Sequence, residues 1–413
     1  MADPKTVLRR PAFWLVLLAA AGTTAITMGA RQSMGLFLGS INTSTGLGLA
    51  SISLAFAFGQ LWWGLTQPLA GMAADRLGTG RVLVVGVLLI SIGTALIPLM
   101  TSTWGLILAI GVLSAGGAGI AGPSVLMGAT ARLTAPERRG IATGIVNAGG
   151  SFGQFMFVPL AGLISSAAGW VVAVQSLAAF TLLALPAAWV LRGSSALSAA
   201  AQAASPVRAD TTREAVSRAL HDRSFLLLGA GFFVCGFHVA FIATHLPGVV
   251  ASCMLPAALG AWALGVVGLF NIFGSLSMGW AVGRWRMKSL LSLVYAARAV
   301  AVLAFLLAPK TEVTMLIFAA VIGLTYLSTV PPTVGLVAKF YGTANMGTLF
   351  GLVMLSHQVG GFLGASMGGK AFEWTGSYNW MWYADIVLAV GAALVNLPIR
   401  EAQPQRVPRP ASA

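Results

Sequence analysis

Residues 71–81 read GMAADRLGTGR and lie between two long apolar runs. A related stretch, GWAVGRWRMK at residues 279–288, follows a later apolar run. Each stretch has a glycine four residues before the position of Asp75 or Gly283 and a basic residue directly after that position, but the second stretch lacks the acid. This recurrence indicates that the chain consists of two related halves.

The composition of the chain is typical of a membrane protein. Of its 413 residues, 57% are hydrophobic and only 8% are charged, a balance that soluble domains do not have. The 50 glycines make up about 12% of the chain, against roughly 7% in average proteins. Small residues suit close helix packing in lipid, where no hydrophobic force drives helices together. The sequence therefore predicts an all-α membrane protein.

Twelve apolar stretches are long enough, at about 20 residues each, to cross a bilayer as helices. They predict a six-helix bundle in residues 1–192, a cytoplasmic linker at 193–224, a second six-helix bundle in 225–400 and a cytoplasmic tail at 401–413. Residues 211–221 are compatible with an amphipathic helix on the membrane surface or with a solvated linker. The predicted spans are 14–41, 48–74, 82–100, 104–130, 141–166, 170–191, 225–250, 257–282, 289–308, 313–338, 346–369 and 379–398.

The basic residues are distributed unequally between the predicted loops. With the N-terminus inside, the cytoplasmic segments hold 20 of the 24 Lys and Arg residues, and the external loops hold only Lys310 and Lys370. By the positive-inside rule both termini are cytoplasmic, which requires an even number of spans. This distribution accounts for the net charge of +14 without a nucleic-acid partner, because the bases form no stripe with interleaved aromatic residues.

The stretch at 71–81 resembles the loop between helices two and three of the major facilitator superfamily, G-x-x-x-D-R-x-G-x-x-R. The resemblance implies twelve transmembrane helices in two six-helix bundles around a central cavity, the major facilitator fold. We expect Gly71 to permit a close approach of helices and Asp75 to pair with a base or a helix N-terminus in only one conformation. An ordinary positive-inside loop is the alternative, but it does not explain the spaced glycines. The predicted conformational motif comprises Gly71, Asp75, Arg76, Gly78 and Arg81, with Gly279 and Arg284 in the second half.

Residues 138–153, RRGIATGIVNAGGSFG, are similar to a pattern of the monocarboxylate transporter family: a basic pair, A-x-G, then A-G-x-x-x-G. The stretches QSMGLFL at 32–38 and NIFGSLSMG at 271–279 also look related. Asn271 and Ser275 stand where that family usually carries an acid and an arginine, and Gln32, directly after Arg31, stands at its span-one lysine. The resemblance implies a monocarboxylate substrate and a proton. Because this chain differs from the family at these positions, other residues are expected to bind them.

Two arginines, Arg31 and Arg298, lie deep inside apolar stretches. A guanidinium near the bilayer midplane costs roughly 2.5–3.5 kcal/mol on insertion scales, so it normally faces the protein interior or an aqueous cavity. Only Asp385 offers an acid at comparable depth, which favours an anionic substrate that Arg31 holds through two parallel hydrogen bonds. A structural role is the alternative for Arg31, and equally for Arg298, because the resemblance places ninth spans at the periphery of the bundle.

Proton coupling requires a group that changes its charge, and three residues are candidates. His238 lies near the centre of the seventh predicted span and His357 near the centre of the eleventh. Imidazole changes its charge near neutral pH, although a lone buried histidine is more often a packing residue. Asp385 is the carboxylate candidate, and a hydrogen bond at a helix interface is its other possible role.

Further polar residues at similar depth complete the predicted substrate site. For each of them a helix–helix contact is the alternative to a solute contact. The full set of candidate substrate ligands is Arg31, Gln32, Asn147, Gln154, His238, Asn271, Arg298, Tyr326, His357 and Gln358.

Two of the predicted spans contain prolines inside their apolar stretches. Pro123 lies in span four, and the pair Pro331 and Pro332 lies in span ten. These prolines predict a local loss of helix hydrogen bonding.

No feature of the sequence supports an enzyme. There is no zinc-spaced Cys/His cluster, no phosphate loop and no extramembrane domain large enough for a soluble active site, and we predict no metal and no cofactor. The sequence predicts a monomeric symporter in the plasma membrane, the inner membrane of a bacterium, which moves a small organic anion such as lactate or pyruvate with a proton by alternating access. The alternatives are an exporter of a larger amphipathic or drug-like anion and a transporter-like sensor.

Overall fold

The computed structural model describes residues 10–133, 139–193, 212–341 and 346–401. Within these ranges all regular structure is helical. Eleven of these helices are long and apolar enough to cross a membrane, which confirms the predicted all-α membrane fold. Numbered 1 to 11, the spans are Trp14–Thr45, Leu49–Ala74, Thr79–Leu99, Thr103–Thr130, Gly144–Ala168, Trp170–Leu191, Arg223–Ser252, Ala257–Val282, Met287–Leu307, Glu312–Tyr341 and Thr348–Thr375.

The twelfth predicted span is the helix Asn379–Asn396, which we number span 12. It is not one of the eleven, and it is less apolar because asparagines stand at both ends and Asp385 lies in its interior. Its 18 residues extend about 27 Å, close to the roughly 30 Å of bilayer core. It packs against spans 7 and 9. Its buried residues recur every three to four positions on one face, as Met381, Trp382, Asp385, Ala389, Ala392 and Asn396.

The linker predicted at 193–224 is described mainly from Thr212 onward. Thr212–His221 is helical, as the amphipathic-helix interpretation requires, with Ala215 and Ala219 buried and Arg213 exposed. Ala219 belongs to an apolar cluster of the second half, so this helix packs against that half. The predictions for residues 1–9, 194–211 and 402–413, and for Arg138, lie outside the described residues.

Two spans of the first half are not continuous α-helices. Span 1 is α-helical over Arg10–Ser33 and changes to a 3₁₀ segment at Met34–Phe37, so Arg31 lies in the last turn before the change. Span 4 contains a π-helical segment, Ile107–Ser114, and is broken just before Pro123. Most residues of both segments are buried, although Leu108 is 50% exposed, in agreement with the rule that irregular backbone at membrane depth is surrounded by protein or water.

Span 10 is broken in the same manner. It consists of Glu312–Thr325 and Val330–Tyr341, with non-helical backbone between them. Pro331 and Pro332 lie in the first turn of the second piece, where their missing N–H groups cost least. The break leaves backbone carbonyl groups near Thr325 without their usual helical partners, and these carbonyls become part of the candidate site.

The two halves repeat one helix-packing arrangement. In the first half span 1 crosses span 5, and a Cβ atom at Gly153 would lie 1.9 Å from the carbonyl oxygen of Ala25. In the second half span 7 crosses span 11, and a Cβ atom at Gly364 would lie 2.1 Å from the carbonyl oxygen of Phe237. In both halves the first and fifth helices approach so closely that only glycine fits at the crossing.

The halves contact each other most extensively along two pairs of spans, 2 with 11 and 5 with 8, and spans 1 and 7 also meet at Gly35 and Ala243. Along the first pair, contacts run from Ala50, whose N–H donates to Oε1 of Glu373 at 2.7 Å, to Gly64, where a Cβ atom would lie 2.3 Å from Cγ of Gln358. Along the second pair, the contacts end at the hydrogen bond between Asn271 and Ser151. We call the level of Gly64 and Ser151 the apex.

Beyond the apex the two halves separate. Gly144 and Gly279, on spans 5 and 8, have no described atom within 4 Å of a Cβ position. The apolar clusters at this end stay within one half each, whereas the cluster that contains Ala57, Ala240 and Ala365 joins both halves. The two halves are therefore in contact at the end where span 2 begins and apart at the end where span 1 begins. We call the second of these the open end.

Candidate functional site

Arg31 lies at the apex and is held there by neutral groups. Its Nη2 donates to Oε1 of Gln60, and its guanidinium carbon lies 4.6 Å from the centre of the Trp63 ring. Gln60 and Trp63 are three residues apart and therefore share one face of span 2. Arg31 is half-buried, and among the described residues no carboxylate forms an ion pair with it. Its positive charge is partly desolvated and has no negative counterpart there.

Gln32 extends this polar cluster across the boundary between the halves. Its Nε2 lies 3.4 Å from Oε1 of Gln154 on span 5, and Nε2 of Gln154 donates to the carbonyl oxygen of Leu264 on span 8 at 3.0 Å. The side chain of Gln32 also lies beside the hydroxyl of Tyr326 on span 10. Neutral hydrogen-bonding groups from both halves thus surround the position next to Arg31.

Asn271 connects the broken span 10 to the first half. Its Nδ2 donates to Oγ of Ser151 at 2.8 Å, and its Oδ1 accepts from the N–H of Leu327 at 3.0 Å. Leu327 lies in the non-helical segment of span 10, so Asn271 replaces a helical acceptor that the break removes. The position where the resemblance expects an acid is therefore occupied by a neutral bridge between three spans.

His357 and Gln358 contribute buried polar atoms without partners. Nδ1 of His357 and Oε1 of Gln358 have no hydrogen-bond partner among the described residues. The His357 ring packs at 4.8 Å from the ring of Phe232, and Gln358 lies against Gly64 at the apex. A buried unpaired polar atom costs about 1–3 kcal/mol, so these atoms favour a water molecule or a polar solute beside them.

A second polar network lies inside the second half. Arg298, His238 and Asp385 are only 1%, 3% and 2% exposed. Nη1 of Arg298 lies 3.0 Å from Nδ1 of His238, and Nε2 of His238 lies 3.1 Å from Oδ1 and 3.2 Å from the carbonyl oxygen of Asp385. Because guanidinium only donates, Nδ1 of His238 accepts and its Nε2 carries the proton.

Arg298 also holds the break in span 10. Its Nη2 donates to the carbonyl oxygen of Thr325 and, at 3.1 Å, to that of Tyr326. A cation at the C-terminal end of a helix satisfies the free carbonyls and matches the negative end of the helix dipole. Arg298 thus has backbone acceptors and an acid one ring away, whereas Arg31 has neither.

Tyr326 links the two networks. Its carbonyl oxygen accepts from Arg298, and its hydroxyl donates to the carbonyl oxygen of Val239 at 3.0 Å and also lies beside Gln32. One residue in the broken segment therefore contacts both the interior of the second half and the apex.

Asn147 lies apart from these clusters. It is half-buried on span 5, one turn beyond Ser151 toward the open end, and no hydrogen bond of its side chain occurs in the described part of the chain. Nine of the ten predicted substrate ligands belong to the apex, to the adjoining pair His357 and Gln358, or to the network around Arg298. Asn147 is related to these groups only through span 5, the helix that it shares with Ser151 and Gln154.

The structure describes only part of the predicted conformational motif. No described atom lies within 4 Å of a Cβ position at Gly71 or Gly279, so the close helix approach expected at Gly71 involves no described residue in this conformation and stays a prediction. Both glycines lie at the open end, where the halves are apart. Gly78 ends the second helix with φ +95°, Arg76 and Arg81 are exposed, and the side chain of Asp75 lies outside the described part. Arg284 stacks at 3.8 Å over Trp280.

Three residues of the site were not singled out as ligands from the sequence. Gln60 and Ser151 are ordinary polar residues in apolar spans, and a tryptophan such as Trp63 is common in membrane helices as a packing or interfacial residue. The spacing of Gln60 and Trp63 on one helix face was the available signal, because a polar and an aromatic group three residues apart suit a cation between them. Ser151 gave no comparable signal.

Comparison with known proteins agrees with this architecture. A family model described as Major Facilitator Superfamily matches residues 20–365 and, in a second match, 255–412. Monocarboxylate transporter 13 of Rattus norvegicus is 25% identical over 390 residues, which cover 93% of this chain and 89% of the relative. The uncharacterised MFS-type transporter YcxA of Bacillus subtilis (strain 168) is 25% identical over 359 residues, which cover 84% of this chain and 85% of the relative.

A solved structure shares the fold. The bacterial homologue of the human lysosomal transporter Spinster, in an inward-facing and occupied conformation, aligns with a TM-score of 0.73 at 17% identity and covers 94% of this chain and 97% of its own. Family and fold indicate a multi-pass membrane transporter and not an enzyme. The helical spans, the two halves that part beyond an apex and the match along nearly the whole chain show that this protein belongs to the Major Facilitator Superfamily.

Proposed function

We propose that the protein transports a small organic anion together with a proton by alternating access. The observation that carries this proposal is the position of Arg31, a half-buried guanidinium at the apex with only neutral partners in the described part of the chain. A partly buried charge in such a place is costly until a counter-charge arrives. An anionic substrate supplies that counter-charge.

A monocarboxylate such as lactate or pyruvate is the substrate class that suits this site. A guanidinium binds both oxygens of one carboxylate, and a single cation at the apex matches a single negative charge. Gln32 and Tyr326 offer neutral hydrogen bonds to a hydroxyl or keto group beside that carboxylate. The relatives named monocarboxylate transporter 13 in Rattus norvegicus and Bos taurus support the same class.

The proton is carried by the network of the second half, with His238 as the first candidate. The Nε2 proton of His238 faces two acceptors of Asp385, and Oδ1 of this buried acid has no other donor among the described residues. Because Nδ1 of His238 accepts from Arg298, His238 takes up a second proton only when Arg298 moves off that nitrogen. Tyr326 then connects the proton site to the substrate site through Arg298. His357 is the second candidate and Asp385 itself the third.

The proposed topology places the open end in the cytoplasm and the protein, as a monomer, in the plasma membrane of a bacterium. The excess of basic residues in the loops at that end supports this orientation. The test uses single cysteines in a variant with Cys235 and Cys253 replaced by serine. An impermeant thiol reagent outside intact cells should label a cysteine at Thr311 and miss one at Ser205, and strong labelling at Ser205 would reverse the orientation.

The transport proposal is tested by uptake of lactate into proteoliposomes under an inward proton gradient. Arg31→Ala should lower uptake roughly 10-fold or more, because a charge-assisted hydrogen bond contributes about 1.5–3 kcal/mol. Arg31→Lys should recover only part of the activity, since the planar fork is lost. Arg223→Gln, which removes an exposed arginine far from the apex, is the matched control and should transport like the unmodified protein.

The alternatives give different results in the same system. Normal uptake by Arg31→Ala would place the anion site elsewhere, with Arg298 as the next candidate. Extrusion of a larger amphipathic anion, with no gradient-driven lactate uptake, would favour an exporter. Saturable binding without flux of any tested anion would favour a transporter-like sensor.

A further inference from the structure

A groove on the outside of the first half has the features of a ligand site that transport does not require. It lies between the start of span 3 and the end of span 6 and has a volume of about 820 Å³. This volume lies within the roughly 300–1,000 Å³ of small-molecule sites. The principal lining residues are Leu77, Arg81, Val84, Leu185, Trp189 and Arg192.

The geometry of the groove brings two arginines together from separate spans. Gly80 packs directly on span 6, because a Cβ atom there would lie 2.6 Å from the carbonyl oxygen of Ala188 and 3.1 Å from Cβ of Arg192. This contact holds Arg81, the next residue, beside Arg192. Both arginine side chains are exposed, and none of the described lining residues is acidic. Two guanidinium groups from separate spans therefore lie at the mouth of the groove.

The rest of the groove is apolar and faces outward. Val85 and Trp189 are 51% and 65% exposed, and Leu77 and Val84 are also exposed on this side. The guanidinium carbon of Arg192 lies 4.5 Å from the centre of the Trp189 ring. A tryptophan beside a cation is the arrangement that proteins place at the level of lipid headgroups, with apolar side chains toward the acyl chains.

We propose that this groove binds an anionic phospholipid, with the phosphate on Arg81 and Arg192 and an acyl chain along Val84, Val85 and Leu185. Guanidinium groups bind phosphate oxygens through paired charge-assisted hydrogen bonds. Basic pockets between spans at the cytoplasmic surface are recognised by anionic headgroups, which are abundant in that leaflet. The occupant is a lipid and not a soluble phosphate compound, because most of the lining offers contacts only to hydrocarbon. The proposal rests on the proposed cytoplasmic orientation of the open end, but on neither the transported substrate nor the proton.

The test is native mass spectrometry of the purified full chain, stripped of lipid and then supplied with dioleoyl phosphatidylglycerol or dioleoyl phosphatidylcholine. The unmodified protein should retain phosphatidylglycerol in clear excess over phosphatidylcholine. The Arg81→Gln/Arg192→Gln double variant should lose this excess, with an effect of about five-fold for each arginine. Arg223→Gln, an exposed arginine outside the groove, should keep it.

A second variant covers the case in which the double variant does not fold. Val84→Trp narrows the groove without changing a charge and should also reduce phosphatidylglycerol binding. An excess that survives both changes, or equal retention of phosphatidylcholine by the unmodified protein, would overturn the proposal. Displacement of the lipid by glycerol 3-phosphate at equal concentration would instead identify a soluble organophosphate as the occupant and would also contradict it.

Discussion

Nη1 of Arg298 lies 3.0 Å from Nδ1 of His238, and on the other side of the same ring Nε2 of His238 lies 3.1 Å from Oδ1 of Asp385. The imidazole therefore joins the buried base of span 9 to the buried acid of span 12. Arg31 has no such arrangement, since its described partners are an amide and an indole ring. The two intramembrane arginines consequently differ in what their removal leaves behind.

The first prediction is that Arg298→Gln destabilises the folded protein and Arg31→Gln does not. Loss of Arg298 removes a charged donor from the carbonyls of Thr325 and Tyr326 and from Nδ1 of His238, which pairs with Asp385. Breaking a buried charge network costs about 3–5 kcal/mol, whereas removing Arg31 relieves an uncompensated charge. Thermal unfolding in detergent measures the difference. Equal melting temperatures for the two variants would show that Arg298 does not brace span 10.

The second prediction concerns proton coupling through His238. His238→Gln should abolish accumulation of substrate driven by a pH gradient but retain counterflow exchange, because exchange needs no net proton movement. His245→Gln is the matched control, because this histidine lies on the same span and is about equally buried. Its one hydrogen bond among the described residues is to the carbonyl oxygen of Ala365, at 2.7 Å. This variant should leave driven accumulation intact.

The sign of the pH effect follows from the direction of the proton. If a proton enters with the anion, uptake rises as the external pH falls and collapses when an ionophore removes the gradient. A parallel loss of accumulation and exchange in His238→Gln would indicate a packing role. Uptake by the unmodified protein that is indifferent to the gradient would refute symport and favour a uniporter or an anion exchanger.

Much of the fold could be predicted because membrane helices are set by local composition. Twelve spans, two halves and the amphipathic helix at Thr212–His221 follow from apolar run length and charge position, and the structure has helices at all of these places. Proline position likewise indicated the breaks at Pro123 and Pro331. Each of these features depends on residues that are close together in the sequence, so one sequence is enough to predict it.

The contacts of the site could not be predicted, because they join distant spans. The sequence offered no reason to pair Arg31 with Gln60, or Asn271 with Ser151 and Leu327, since no local pattern encodes the rotation of one helix against another. Gly71 shows a second limit. Its spacing indicates a helix contact, but one structure contains one conformation, and here no described atom lies within 4 Å of a Cβ position at Gly71.

The third prediction is that the bond between Asn271 and Ser151 stabilises the conformation seen here. Ser151→Ala removes only this bond between the halves, whereas Asn271→Ala also leaves the N–H of Leu327 unpaired. Ser151→Ala should therefore shift the conformational equilibrium by roughly 0.5–1.5 kcal/mol, the net value of one hydrogen bond, with little loss of stability. Asn271→Ala should shift it and also lower the melting temperature.

Distances between spin labels at the open end, on spans 5 and 8, measure this equilibrium. Shorter distances should become more populated in Ser151→Ala than in the unmodified protein. Thr43→Ala, which removes a hydroxyl bonded only within its own helix, is the control and should leave the distribution unchanged. An unchanged distribution in Ser151→Ala would mean that this bond forms equally in both conformations.

The fourth prediction compares two glycines. Gly153 packs against a neighbouring helix in this conformation, and Gly71 is expected to do so only when the open end is closed. Gly153→Ala places a methyl group 1.9 Å from the carbonyl oxygen of Ala25, a backbone atom that cannot turn aside, so it should lower stability by about 1–3 kcal/mol or prevent folding. Gly71→Ala meets no described atom within 4 Å and should unfold at the same temperature as the unmodified protein. If the open end closes during transport and brings Gly71 against a neighbouring helix, Gly71→Ala should nevertheless slow counterflow several-fold. Thermal unfolding and counterflow on the same two preparations decide the matter, and normal counterflow by Gly71→Ala would exclude Gly71 from the helix contacts of the closed state.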